Sequence, residues 1–193
     1  FEKPWAIYHV TINTIGPRQL SPAARDVVFD CLLHWRESRY RLVAACVLPD
    51  HAHFIIQPGV KEEDKDGNLV FWPLSDILHS IKSYSANEVN KLDKVKGTLW
   101  QEERYDRYMR SDADLQEKFH YVCRNPWAAG LVTESEPWPW LWTPEIEAWK
   151  PYVPLTARTS PGSTGNLPVP PGYQPGGTTA THPLPNEAGS AQA

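Results

Sequence analysis

Leu48-Pro49-Asp50-His51-Ala52-His53-Phe54-Ile55-Ile56 is the stretch from which the fold of this chain can be read. Its first three residues suit a tight connection: proline pre-sets its own φ, and an aspartate side chain hydrogen-bonds nearby backbone. The residues that follow enter an apolar, aromatic and β-branched run, the composition of a pleated strand. In an extended strand, residues i and i+2 point to the same face. His51 and His53 then present two imidazoles side by side, a bidentate grip for a metal ion.

Working outward, Arg41 to Val47 reads as the strand before the turn, and His51 to Gln57 as the strand after it. Upstream, Trp5 to Ile12 is rich in β-branched and aromatic residues and reads as a first strand. Ser21-Pro22 supplies an N-cap and a first-turn proline, after which Val27, Val28, Cys31, Leu32 and Trp35 recur at helical spacing to about Glu37. Downstream, Leu74 to Leu92 is helical by period, with Leu74, Ile77, Leu78, Ile81 and Val89 on one side. A fourth strand is expected between Trp100 and Met109, and a third helix from Asp112 to about Arg124, capped by Ser111 or Asp112. Because proline disfavours the α conformation for the residue before it, Asn125 is expected to close that helix, with Pro126 opening a short new turn ended by Gly130. The order β-α-β-β-α-β-α predicts an α+β fold, a ferredoxin-like split βαβ sandwich with an extra C-terminal helix. In that topology the first and third strands are neighbours at the sheet centre.

Composition sets the frame. At 193 residues the chain has length for a single domain with a real core, assigned to residues 1–152. Residues 153–193 are mostly Pro, Gly, Ser, Thr and Ala, with Arg158 and Glu187 the only charges, and are expected to be a disordered tail. No run has the apolar length of a membrane span, and the start resembles no secretory signal. Three widely spaced cysteines, Cys31, Cys46 and Cys123, read as reduced intracellular thiols, so a cytoplasmic location is expected. The acidic cluster at Lys61-Glu62-Glu63-Asp64-Lys65-Asp66 is expected in a loop. The formal net charge of −4 neither selects nor excludes nucleic acid, because a bulk count says little about one face. Lys82 and Arg104 lie in a mildly basic segment and are candidate phosphate contacts, the plainer reading being solvated charges.

A second block carries chemistry. His120-Tyr121-Val122-Cys123-Arg124-Asn125-Pro126 sets a phenol and a carboxamide four positions apart, one above the other on a helix. Facing a His-x-His strand, they make a site suited to metal-assisted attack on a phosphodiester. Taken singly, Tyr121 is a core aromatic and Asn125 a helix C-cap. Tyr84, Tyr105 and Tyr108 are rival nucleophiles on these grounds, and His120 falls on a different helical face from Tyr121. Trp138, Trp140 and Trp142 alternate in a way that packs the following segment onto the domain.

Leu48-Pro49-Asp50-His51-Ala52-His53, then Leu99-Trp100-Gln101 with Tyr105-Asp106-Arg107, then His120 through Val132 with its Asn125-Pro126-Trp127-Ala128-Ala129-Gly130-Leu131-Val132, together resemble the single-tyrosine HUH transposases. The resemblance covers roughly residues 5–142 and is closest to the REP-associated tyrosine transposase branch. It implies a ferredoxin-like domain that nicks and joins single-stranded DNA next to a hairpin through a 5′-phosphotyrosine intermediate. It maps the nucleophile onto Tyr121 and a divalent metal, Mg²⁺ or Mn²⁺, onto His51, His53 and Asn125. The implied setting is the bacterial cytoplasm near the nucleoid, as a monomer or homodimer without membrane contact. A non-cutting hairpin-binding module of the same fold and a metal-dependent phosphoesterase are the alternative functions.

Overall fold

The computed structural model describes residues 3, 6–102 and 105–144. The expected tail at 153–193, Arg104 and the Trp5 start of the first strand lie outside the described residues. The elements run β1 (Tyr8–Asn13), α1 (Pro22–His34), β2 (Tyr40–Val47), β3 (His51–Pro58), β4 (Val60–Glu63), β5 (Leu69–Phe71), α2 (Leu74–Asp93), β6 (Tyr105–Tyr108), α3 (Asp112–Ala128) and β7 (Leu141–Trp142). Five strands form one sheet in the order β6-β1-β3-β2-β7, with antiparallel pairings, and β4-β5 form a separate hairpin. Without that hairpin and β7, this is the split βαβ arrangement, with β1 beside β3 at the centre.

Alternation along β1 decides which face does what. Tyr8, Val10 and Ile12 are buried, whereas His9, Thr11 and Asn13 are only partly so. The buried set joins Ala52, Phe54 and Ile56 of β3 under α1 and α2, which supply Val28, Leu32, Ile77, Leu78 and Ile81. On the other face, Ile55 of β3 and Val43, Ala44 and Cys46 of β2 pack against Leu115, Phe119, Val122 and Cys123 of α3. Val43 and Ala44 reach the same side because the β2–β3 register shifts between Leu42 and Ala44. The sheet is therefore covered on both faces, and His9, Thr11, His51 and His53 belong to the face that α3 covers only in part.

The local signals act as their chemistry dictates. Ser21 Oγ accepts from the Ala24 N–H at 3.2 Å, with Pro22 in the first turn of α1. α1 stops at His34, three residues before Glu37. Leu48-Pro49-Asp50 turns the chain as expected, with the Leu48 N–H donating to the His51 carbonyl at 2.8 Å. Trp138 Nε1 donates to the Val47 carbonyl at 3.0 Å and Trp140 Nε1 to Asp26 at 2.7 Å, while Trp142 sits in β7 opposite Ala45. The tryptophan alternation thus fastens the segment after α3 to β2 and α1.

Two expectations are corrected. Asn125 does not end α3, which continues through Pro126 to Ala128. Proline lacks the N–H that would reach the Val122 carbonyl, yet the loss falls in the last turn, where the Pro126 ring is buried. A Schellman motif then closes the helix: Leu131 N–H donates to the Pro126 carbonyl and Gly130 N–H to that of Trp127, each at 3.0 Å, with Gly130 at φ 67. The acidic cluster is likewise no simple loop, because Val60–Glu63 pairs with Leu69–Phe71. Asp64 Oδ1 organises the turn by accepting the N–H groups of Asp66 at 2.9 Å and Asn68 at 2.8 Å. Among the described residues no helix is long and apolar enough to cross a membrane.

Candidate active site

Antiparallel pairing of β1 with β3 sets Thr11 opposite His53 and Asn13 opposite His51. His53 is nearly enclosed, at 4% exposure. Its Nδ1 lies 2.9 Å from Thr11 Oγ1. His51 Nδ1 lies 2.6 Å from the Asp50 carboxylate. Both rings are thus held through Nδ1, which leaves the Nε2 atoms for a ligand, and such a partner on the far nitrogen is what orients a metal-binding imidazole. The two ring centroids are 4.6 Å apart.

α3 brings the phenol. Its buried stripe runs through Leu115, Phe119, Val122 and Pro126. Asp114, Lys118, Tyr121 and Asn125 each precede one of these by a residue, so they form a shoulder beside that stripe. Tyr121 is 49% exposed, yet its Oη lies 3.5 Å from His53 Nε2 and its ring centroid 5.1 Å from that of His53. Three residues from two separate sequence blocks, His51, His53 and Tyr121, therefore converge. Asn125 follows Tyr121 by one helical turn, partly buried, and makes no hydrogen bond to either histidine. Among the described residues, no cluster of three His, Cys, Asp or Glu side chains could hold a metal.

Burial sets the charge state. It pushes the His53 imidazole down to about 3, with the neighbouring His51 and His9 adding to the effect. His9 falls to about 4, again chiefly through burial, with Lys118 and Arg107 lowering it further and Asp114 opposing them. Neutral imidazoles are the metal-binding form.

His9 is a site residue that the sequence reading did not single out. Its ring centroid is 5.4 Å from that of His53 and 5.9 Å from that of Tyr121, and its Nε2 is buried without a hydrogen-bond partner. Thr11 and Asp50 were not singled out either. The signal for His9 and Thr11 was the polar alternation His9-x-Thr11-x-Asn13 on a strand placed beside the histidine strand.

The rival tyrosines separate by face. Tyr84 lies on α2, across the sheet. Tyr108 is the register partner of Tyr8 and packs against the core under α1 and α2. The Tyr105 side chain lies outside the described residues. Lys82, also on α2, donates to the main-chain carbonyls of Gln101 and Glu102, so it braces the segment leading to β6.

No family model matches the chain. Over 101 residues, 52% of this chain and 57% of the other, it is 24% identical to a Haemophilus influenzae protein named "Putative REP-associated tyrosine transposase". The chain thus matches little more than half the length of that relative. The chain resembles the REP-associated tyrosine transposases. A solved REP-associated tyrosine transposase, bound to a REP hairpin, superposes with a TM-score of 0.58 at 19% identity, covering 81% of this chain and 87% of that one. The shared element is the fold.

Proposed function

We propose that this chain is a REP-associated tyrosine transposase that cuts and rejoins single-stranded DNA beside a hairpin, with Tyr121 as nucleophile. The observation that carries the reading is the 3.5 Å approach of Tyr121 Oη to His53 Nε2, within a pair of imidazoles both fixed through Nδ1. The similarity to a relative of that name supports it. His51 and His53, with Asn125 one turn beyond the nucleophile, would hold Mg²⁺ or Mn²⁺; oxygen ligands suit these ions, and the imidazoles would also accept Zn²⁺ or Ni²⁺. When bound, the ion supplies Lewis-acid polarisation of a phosphoryl oxygen.

The chain's own residues do the rest. Tyr121 Oη forms a bond to phosphorus, the P–O3′ bond breaks, and the departing oxygen becomes a 3′-hydroxyl. The phosphate remains esterified to the tyrosine, so attack by a 3′-hydroxyl reverses the exchange and joins strands without an outside energy source. Half-exposure of Tyr121 suits this role, because a macromolecular substrate must reach the phenol. Thr11 and Asp50 fix the imidazole planes. Burial keeps His53 neutral, and the α3 shoulder holds the phenol above the pair.

The experiment is a denaturing gel of the protein with a labelled hairpin oligonucleotide and Mn²⁺. The parent chain should give a covalent adduct, and Tyr121→Phe none, while binding the DNA equally. Adduct formed by Tyr121→Phe would overturn the assignment. An oligonucleotide bound but never linked would leave a non-cutting module.

A further inference from the structure

The far end of α2 carries a feature that the site above does not use. A concavity of about 580 Å³ there has Lys91, Lys94 and Lys96 in its lining, with Asn87, Asn90, Gly97 and the exposed Val95. Lys91 pairs with Glu88 at 2.6 Å. Lys94 and Lys96 are exposed, and no described group pairs with either ammonium. This concentration of positive charge stands out on a chain whose net charge is −4.

The backbone here is built for its shape. Lys94 sits at φ 55, the one non-glycine residue at positive φ among the described residues, where Gly16, Gly67, Gly97 and Gly130 hold the others. A left-handed position ordinarily falls to glycine or asparagine; here it closes α2, with the Val95 N–H donating to the Asn90 carbonyl at 3.0 Å. Asn90 fixes the loop, donating from Nδ2 to the Gly97 carbonyl at 2.7 Å while its Oδ1 accepts from Arg18 at 2.8 Å. A favourable interaction with the helix C-terminus accounts for a cation in the last turn, but that effect fades before Lys96.

Position gives the concavity its partner. α2 ends at the same end of the sheet at which β3 begins with His51. Arg18, in the loop leaving β1, pairs with Asp93 at the end of α2 at 3.0 Å. Thr14, in the same loop, donates its N–H to the Asp50 carbonyl at 2.8 Å. The loop after β1 thus joins the turn before His51 to the lysine cluster. A strand crossing this rim of the sheet would pass both.

We infer that the Lys94–Lys96 concavity is a second contact for the sugar–phosphate backbone of nucleic acid, binding the strand that leads away from the His51–His53–Tyr121 site. The inference rests on the proposed function and adds to it an affinity determinant separate from the chemistry.

The test measures hairpin binding with a single-stranded extension by fluorescence anisotropy across a KCl series, for the parent, for Lys94→Asn with Lys96→Gln, and for Lys61→Ala with Lys65→Ala. Asparagine suits the left-handed position, so the first variant should keep its fold, checked by thermal melting. Losing two phosphate contacts should lower the slope of log affinity against log salt by about 1.4, and affinity at 0.15 M salt roughly tenfold. The control pair removes equal charge on the β4–β5 hairpin at the other end of the sheet and should leave the slope unchanged. Adduct formation at saturating DNA should persist in both variants. An unchanged slope in the Lys94/Lys96 variant, or an equal drop in the control, overturns the inference while parental adduct formation keeps the proposed function standing. A parent that neither binds nor links the oligonucleotide overturns both.

Discussion

The two buried imidazoles make the apo protein sensitive to acid in a defined window. His53 at about 3 and His9 at about 4 both lie below the ordinary histidine value of 6.5. Between that value and those lower ones, the unfolded chain binds protons that the native state refuses, so stability rises with pH there and is lost as pH falls. At pH 5 an unfolded histidine is almost fully protonated, while its native counterpart is almost fully neutral. That difference spans about 1.5 pH units, or about 2 kcal/mol per histidine, and about 4 kcal/mol as an upper bound for the pair, which are in ring contact. Below pH 4 the contribution of His9 levels off, and His53 follows below pH 3.

Urea unfolding followed by tryptophan fluorescence, with EDTA present, reads this directly at pH 8, 7, 6 and 5. Stability should be nearly flat from pH 8 to 7, then fall with a slope approaching two protons. His9→Leu should halve the acid slope. At pH 8 it should be neutral or stabilising, because it removes a buried nitrogen without a partner. Stability that stays level from pH 8 to pH 5 would refute the reasoning, as would a slope untouched by His9→Leu. The first result would mean that both rings take up protons as readily folded as unfolded, the second that His9 does.

Further outcomes follow from single contacts. His51→Ala with His53→Ala should abolish Mn²⁺ binding in calorimetry without loss of fold, and unchanged affinity would remove the metal assignment. Asp50→Ala should weaken Mn²⁺ binding about 10- to 100-fold through loss of the Nδ1 partner of His51, with little effect on melting because the carboxylate is exposed. Tyr121→Phe should bind Mn²⁺ at least as tightly as the parent, since His53 Nε2 has one lone pair and the phenol competes for it; weaker binding would mean the phenol assists the ion. Gly130→Ala should cost about 1 kcal/mol in urea unfolding, from backbone alone, since a Cβ there meets nothing within 4 Å.

Much of this arrangement was legible in local sequence because its signals have a short period. The α2 stripe of Leu74, Ile77, Leu78, Ile81 and Val89 is buried as expected, with Ser85 beside it, and Ser21 and Ser111 both cap helices through their side chains. The third helix was misread at its end because a rule about one residue and its proline neighbour met a tertiary effect, the burial of the Pro126 ring above a Schellman cap. The β4–β5 hairpin was missed because acidic composition outweighed the short apolar runs beside it. Within residue types alone, Tyr121 had no advantage over Tyr84 or Tyr108; the sheet separates them by putting α3 on one face, and α2 with the Tyr108 side chain of β6 on the other.

The parts that orient the chemistry were illegible for a different reason. Thr11 matters because it stands opposite His53, and that is a statement about register between strands forty residues apart. Register is fixed by the core: Tyr8, Val10 and Ile12 must face α1 and α2, so His9, Thr11 and Asn13 must face α3. A slip of one residue between β1 and β3 would turn the apolar set outward and leave the buried Nδ1 of His53 facing Val10 or Ile12. Packing on one face of β1 thereby sets the hydrogen bonds on the other, and a substitution that disturbs Val10 or Ile12 should damage the site before it unfolds the domain.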